Sequence, residues 1–240
     1  MAKLVLDTCS WIELAKPKFS NVLEELENQV VEGITIIISC DLIIEEWERN
    51  KSRIISNIQN TIKEYSKSAL NISSYLLGNE KEDLIRILEK YRDNEDEQIQ
   101  LAQRHFARIE KLINSSYKYK ISNNLKLEVI EKGIKKEAPF HNSKNNINDA
   151  LIYFGAIEYV QQYYVIAIDL IFVTQNVNEF SDPNDRNLIH PELKVKNVHY
   201  STNLAEALKM RKEEIDGLDE YNNDRFETWV DIQVDEMRGN

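Results

Sequence analysis

Asp7 follows the apolar run KLVL directly, in LVLDTCSW. A carboxylate there can cap the next turn, together with Thr8, or serve as an oxygen ligand facing a cleft. A second apolar run, ITIIIS at 34–39, leads into CDLIIEEWERNK. On a helix starting near Asp41, a step of about 100° per residue puts Ile43, Trp47, Ile54 and Ile58 on one stripe. Glu45 then points away into solvent, while Glu46 lies about 90° from the stripe's centre, where core meets cleft. Of the two, geometry favours Glu46. Asp149, in NNINDALIYFGAIEYV, shares a helical face with Ile152, Tyr153, Ala156 and Val160. Asn148 or Asp149 can cap that helix. A carboxylate heading an apolar face is nevertheless aimed at the sheet, where an unpaired charge is costly and a partner cation is expected. The fourth stretch, LIFVTQNVNEFSD, gathers Thr174, Asn176 and Glu179 in one loop, with Asp182 a little further on. Hydroxyl, amide and carboxylate at this spacing suit oxygen coordination or phosphate positioning, or simply a polar turn.

Acids that end separate strands or begin the following helices converge on one edge of a sheet. Their natural counter-ion is a hard divalent cation, and oxygen-only ligands point to Mg2+ or Mn2+ (one or two ions) rather than Zn2+. His105, His141, His190 and His199 show no metal-binding spacing, and no Cys pairs with them. Neither a Ser-His-Asp nor a Cys-His triad, nor a Gly-rich phosphate loop, is present.

The elements that must position these acids can be read from the same rows. KLVL, ITIIIS and LIFVT (170–174) are short buried strands by length and β-branching, and VKNVH (195–199) is a weaker one. Helices are expected at about 20–32, with Ser20 as N-cap, and at about 41–70, 81–115, 124–137, 147–164 and 202–215. Short apolar strands separated by helices make an α/β fold with a parallel sheet of about four to five strands covered on both faces. Ligands in such sheets bind beyond the carboxyl ends of the strands. The stretch between Pro17 and Pro139 contains no Pro and only three Gly. We read 1–205 as one domain interrupted by an all-helical insertion at about 48–138, followed by an acidic helical tail, 206–240.

The chain has 240 residues, 30 Lys and Arg against 41 Asp and Glu, and a formal net charge of −11. That total argues against a nucleic-acid partner, but its distribution does not. Residues 98–140 carry nine Lys and Arg against four Glu, whereas 1–47 and 206–240 are each net −6. Arg104, Arg108 and Lys111 share one helical face, and Lys132, Lys135 and Lys136 form a second cluster. These six are either solvated helix surface or a substrate arm. Tyr117 and Tyr119, interleaved with Lys118 and Lys120, can stack bases or form a surface loop. No apolar run approaches the roughly 18–20 residues of a membrane span. Two Cys make no disulfide framework, so a cytoplasmic setting is expected.

The order LVLDT, a helix carrying Glu after the second strand, NDALI and FVTQNVNEF resembles the PIN-domain ribonucleases, in particular larger bacterial members with a helical insertion. The resemblance covers about 1–47 and 139–205. It implies a three-layer PIN-like fold, with Asp7, Glu46 and Asp149 as the acidic metal ligands. Thr174 and Asn176 then match the fourth motif, which supports the metals and nearby carboxylates, with Thr8 beside them. Glu179 stands where relatives often have Asp, just before Phe180, and Cys9 replaces the Asn or Ser common after the Asp-Thr pair. The implied activity is metal-assisted endoribonuclease cleavage of single-stranded RNA, leaving a 5′-phosphate and a 3′-hydroxyl. The implied setting is that of a toxin or defence effector, with an RNA substrate, a cognate inhibitor or antitoxin protein, a homo-oligomer, and no membrane. A haloacid-dehalogenase-type phosphatase also begins with Asp after an apolar strand, but needs a second Asp where Cys9 stands. The other reading is a catalytically weak PIN-like module that binds RNA or a protein partner.

Overall fold

The computed structural model describes residues 2–93, 95–142, 146–163, 169–213 and 217. Its centre is β1 (Ala2–Leu6), flanked by β2 (Thr35–Ser39) and β4 (Leu170–Val173). β3 (Tyr117–Lys118) lies outside β2 and β5 (Val198–Ser201) outside β4, giving the order β3-β2-β1-β4-β5. Every neighbouring pair is parallel. Leu4, Val5 and Leu6 are all buried, so β1 is covered on both faces, as its unbroken apolar run requires. The register Leu6↔Val173 brings the ends of β1 and β4 level, and Asp7 N–H donates to the Val173 carbonyl at 3.0 Å. Two of the acidic stretches therefore leave the sheet side by side.

Helices form the outer layers. α1 (Thr8–Leu14) and α2 (Ser20–Val31) connect β1 to β2. The chain then runs through α3 (Asp41–Ser73), α4 (Asn79–Asp93) and α5 (Glu95–Ser115) to β3. α6 (Asn123–Lys135) and α7 (Ile147–Tyr163) lead back to β4, and α8 (Val177–Phe180) follows it. The crossings from β1 to β2 and from β3 to β4 run in opposite directions across the sheet. Right-handed connections then place their helices on opposite faces. α5 packs on α2 and β2, while α7 packs on β2, β4 and α6. α7 is apolar nearly all round, with Ala150, Ile152, Tyr153, Ala156 and Ile157 buried, as befits a helix enclosed between sheet and outer helix.

Several sequence expectations are adjusted. The insertion is helical except for β3, whose pairing depends on Tyr119 N–H donating to the Ser39 carbonyl at 2.8 Å. Two residues between lysines carry no strand pattern of their own, so only the neighbouring β2 edge makes them one. The insertion also joins the core: Phe106, Ile109, Leu112 and Ile113 of α5 are buried, and Phe106 stacks on Trp47 at 4.7 Å between centroids. α2 is not capped by Ser20; Phe19 precedes it, after a 3-10 turn over Pro17–Phe19, and makes no side-chain cap. α6 stops at Lys136, whose left-handed φ of 56° ends the helical path. The strand expected at 195–199 starts at Val198, because Asn197 turns the chain with φ 63°. Residues 204–213 are helical. Most of the acidic tail, including Trp229 and Val230, lies outside the described residues.

Candidate active site

Asp7 caps α1 and is buried, with four donors around its carboxylate. Thr8 N–H donates to Oδ1 at 2.6 Å. Thr174 Oγ1 at 2.8 Å, Asn176 Nδ2 at 3.1 Å and Cys9 Sγ at 3.1 Å all donate to Oδ2. The cap and the site are one arrangement: a short helix begins where β1 ends, so the same carboxylate serves both. Thr174 is fully buried, and its hydroxyl also accepts from Asn176 N–H at 3.0 Å. Cys9 donates to Asp7, while its sulfur accepts from Gln175 N–H at 3.2 Å.

Asn176 does more than support one acid. Its Nδ2 also donates to Asp149 Oδ2 at 2.9 Å, so a single amide bridges the carboxylates of β1 and α7. Asp149 heads the face of α7 on which Ile152, Tyr153, Ala156 and Val160 are buried. On α3, Ile43, Trp47 and Ile54 are buried, Glu45 is exposed and Glu46 is half-buried, matching their places on the helical wheel. The side chain of Ile58 lies outside the described residues. Asn148 Nδ2 donates to Glu46 Oε1 at 2.6 Å, which ties α3 to the start of α7. Glu179 is buried on α8.

The electrostatics show that these groups share a small space. Burial pushes the Asp7 acid up, against the pull of three of its donors, Thr174, Cys9 and Thr8, and the charge of Glu46 adds to the rise. Asp149 is pushed up to about 8, first by burial and then by the charges of Asp7, Glu46 and Glu179, with Asn176 opposing. Burial, then the Asp7 charge, pushes the Cys9 thiol up to about 12, so it is a hydrogen-bond donor rather than a thiolate.

A divalent cation fits this donor set in kind. The candidate ligands are hard oxygens, burial and mutual repulsion both disfavour the charge on Asp149, and a cation offsets that penalty. Beside Asp7, Thr8 Oγ1 is buried and makes no hydrogen bond among the described residues, leaving a hydroxyl for a further oxygen. In the arrangement described, the amides of Asn176 and Asn148 occupy carboxylate oxygens. No three His, Cys, Asp or Glu side chains among the described residues are grouped closely enough to enclose an ion.

The basic residues are dispersed. Arg108 forks onto Glu27 of α2, with its Nη2 2.6 Å from Oε2, so it staples α5 to α2. Lys132 pairs with Glu137 at 3.1 Å and Lys135 with Glu131 at 3.9 Å. Arg104, Lys111 and Lys136 are exposed. Of the two interleaved tyrosines, Tyr117 is exposed, but Tyr119 is interior and its hydroxyl donates to the Ile152 carbonyl at 2.8 Å. It is a packing residue and not a stacking surface. Sequence reasoning saw Asn148 only as a helix cap; its partner lies 102 positions away, so no local pattern announces the pairing.

A family model of the PIN domain matches residues 4–180, and the chain belongs to that family. PIN domains are in general nucleases, and their sites typically use divalent metal ions. No curated protein and no solved structure matches the chain. No helix among the described residues is long and apolar enough to cross a membrane.

Proposed function

We propose that this chain is a metal-dependent endoribonuclease that hydrolyses phosphodiester bonds of single-stranded RNA. The observation that carries the reading is Asn176 Nδ2 held between Asp7 Oδ2 and Asp149 Oδ2, in a cluster where burial and then the neighbouring charges push Asp149 up to about 8. Asp7, Glu46 and Asp149, with Glu179 alongside, would hold one or two Mg2+ or Mn2+, which would activate a water and neutralise charge developing on the phosphorus oxygens. The protein's own groups set the stage. Thr174 and Thr8 N–H fix both oxygens of Asp7, Asn176 keeps Asp7 and Asp149 in register, and Asn148 keeps Glu46 turned towards α7. Because Asn176 donates to Asp149 Oδ2, Oδ1 is the oxygen left for a ligand. The family's common settings support a role as toxin or defence effector, with a cognate inhibitor protein as partner.

One observation favours a second reading, a catalytically weak PIN-like module that binds RNA or a protein. The amides on the carboxylates, and the lack of a compact three-acid group among the described residues, suit a site of low metal affinity. Incubating a mixed RNA pool with the chain in Mn2+, with Asp7→Asn as control, separates the two. Metal-dependent cleavage lost in the variant supports the nuclease, and equal cleavage by both, or none by either, removes it.

A further inference from the structure

Beside the carboxylates lies a cavity of about 580 Å3 whose lining includes Glu179, His141, Asn142, Asn178 and Arg186. Its volume falls in the roughly 300–1,000 Å3 range of ligand sites. Glu179 connects it to the site, since it lies on α8 three residues beyond Asn176, whose amide bridges Asp7 and Asp149. His141 stacks on His190 with centroids 4.9 Å apart and planes 25° from parallel. His141 is exposed, so the stack presents imidazole surface to solvent. The platform is tied to the fourth motif by Asn142 Nδ2, which donates to the Asn178 carbonyl at 2.6 Å. The Arg186 guanidinium is exposed and has no ion pair among the described residues, in contrast to Arg108, Lys132 and Lys135.

We infer that this cavity seats the nucleotide next to the scissile phosphate, with its base stacked on His141 and a phosphate on Arg186. The inference rests on the reading of the carboxylates as a strand-cutting site. Unpaired bases stack on aromatic side chains, His included, and such contacts suit a single strand because every base has a π face. A planar guanidinium matches phosphate oxygens, and close to an acidic cluster such a counter-charge offsets the repulsion the strand would otherwise meet. His190 backs His141 and so limits the freedom a lone imidazole would lose on stacking.

The test uses the full chain and a short fluorescent single-stranded RNA. Anisotropy titrations in EDTA over a salt series read binding, and cleavage in Mn2+ reads turnover. His141→Ala is expected to weaken binding about tenfold and His141→Phe to restore it to within about twofold, since a stacked base contributes on the order of that factor. Arg186→Gln is expected to weaken binding about fivefold and to make the slope of log affinity against log salt shallower by about 0.7, the value for one phosphate on a single strand. Cleavage by the wild type together with unchanged binding in His141→Ala and Arg186→Gln overturns the inference and leaves the nuclease standing. Binding that is lost in those variants, without cleavage by the wild type, supports the cavity and removes the nuclease. Neither binding nor cleavage by the wild type overturns both.

Discussion

Asn148, the residue before Asp149, donates its side-chain amide to Glu46 Oε1 at 2.6 Å. Glu46 lies in the first turns of the 33-residue α3 and Asn148 at the start of α7, so this bond joins two helices that pack where the acids converge. It orients a half-buried glutamate. Groups that orient a ligating carboxylate are worth about 10–100-fold in metal affinity or activity. Asn148→Ala is therefore expected to lower Mn2+-dependent cleavage by about tenfold while leaving the circular dichroism spectrum unchanged. Wild-type cleavage by the variant would show that Glu46 needs no such support.

The acids themselves have larger effects. Asp7→Asn and Asp149→Asn are each expected to reduce cleavage by more than about 100-fold, because each removes a charged oxygen from the place where an ion would be held. Asp149→Asn should melt no lower than the wild type, since Asn keeps the shape and relieves repulsion at a crowded site, whereas Asp7→Asn should melt lower, since its amide nitrogen must face donors on one side or the other. Single-turnover assays on RNA, with thermal melts as the folding control, check both statements.

The pH dependence of stability follows from Asp149. Its acid is raised from an ordinary 3.8 to about 8, so between those values the folded chain holds a proton that the unfolded chain releases. The contribution is fully present below about pH 4 and is lost as pH rises through about 8. In EDTA the melting temperature should fall between about pH 5 and pH 8.5 by on the order of 5 °C more in the wild type than in Asp149→Asn. Mn2+ should flatten the wild-type curve and leave the variant unmoved, because only binding to the folded state stabilises it. Identical slopes in the two proteins would place Asp149 in ordinary solvent.

Packing at the β3 edge gives a prediction independent of chemistry. A Cβ on Gly155 of α7 would sit 3.0 Å from Tyr119 Cε2 and 3.3 Å from Ile121 Cγ1. Overpacking of this kind costs about 1–3 kcal/mol. Gly155→Ala should lower stability by that amount in urea unfolding. Tyr119→Phe, which removes the hydroxyl that donates to the Ile152 carbonyl alongside the helical N–H, should cost about 1 kcal/mol. Stabilities equal to wild type would mean that β3 is only loosely held against α7.

Arg108 separates a structural cation from a substrate-binding one. Its fork onto Glu27 is partly exposed, with side chains 38% and 28% accessible, so a double-mutant cycle should return about 0.5 kcal/mol. Arg108→Ala should leave RNA affinity in EDTA unchanged. A clear drop in affinity would put α5 back on the path of the strand.

The apolar strands at 3–6, 34–39 and 170–174, the face of α7 that Asp149 heads, and the half-buried place of Glu46 beside the exposed Glu45 were all legible in the residues. Each depends on local periodicity, and burial follows periodicity whenever one face must meet a core. The short α1 was not legible, because seven residues carry too little repeat. β3 was not legible because its hydrogen bonds come from the neighbouring strand, and Tyr119 looked like a surface aromatic until the sheet edge enclosed it.

Charge was the least transparent property. A total of −11 contains nothing about position. The sequence alone determined which side chains could ligate an ion or meet a phosphate, since that is a matter of chemical type. Only the tertiary structure decided their partners. It set Asn176 between two acids from different elements, turned Arg108 onto Glu27, and stacked His141 on His190 beside Glu179. Those pairings join residues 27 to 169 positions apart, or 49 in the case of the imidazoles. Electrostatic and hydrogen-bond energies fall off over a few ångströms in space, whatever the distance along the chain.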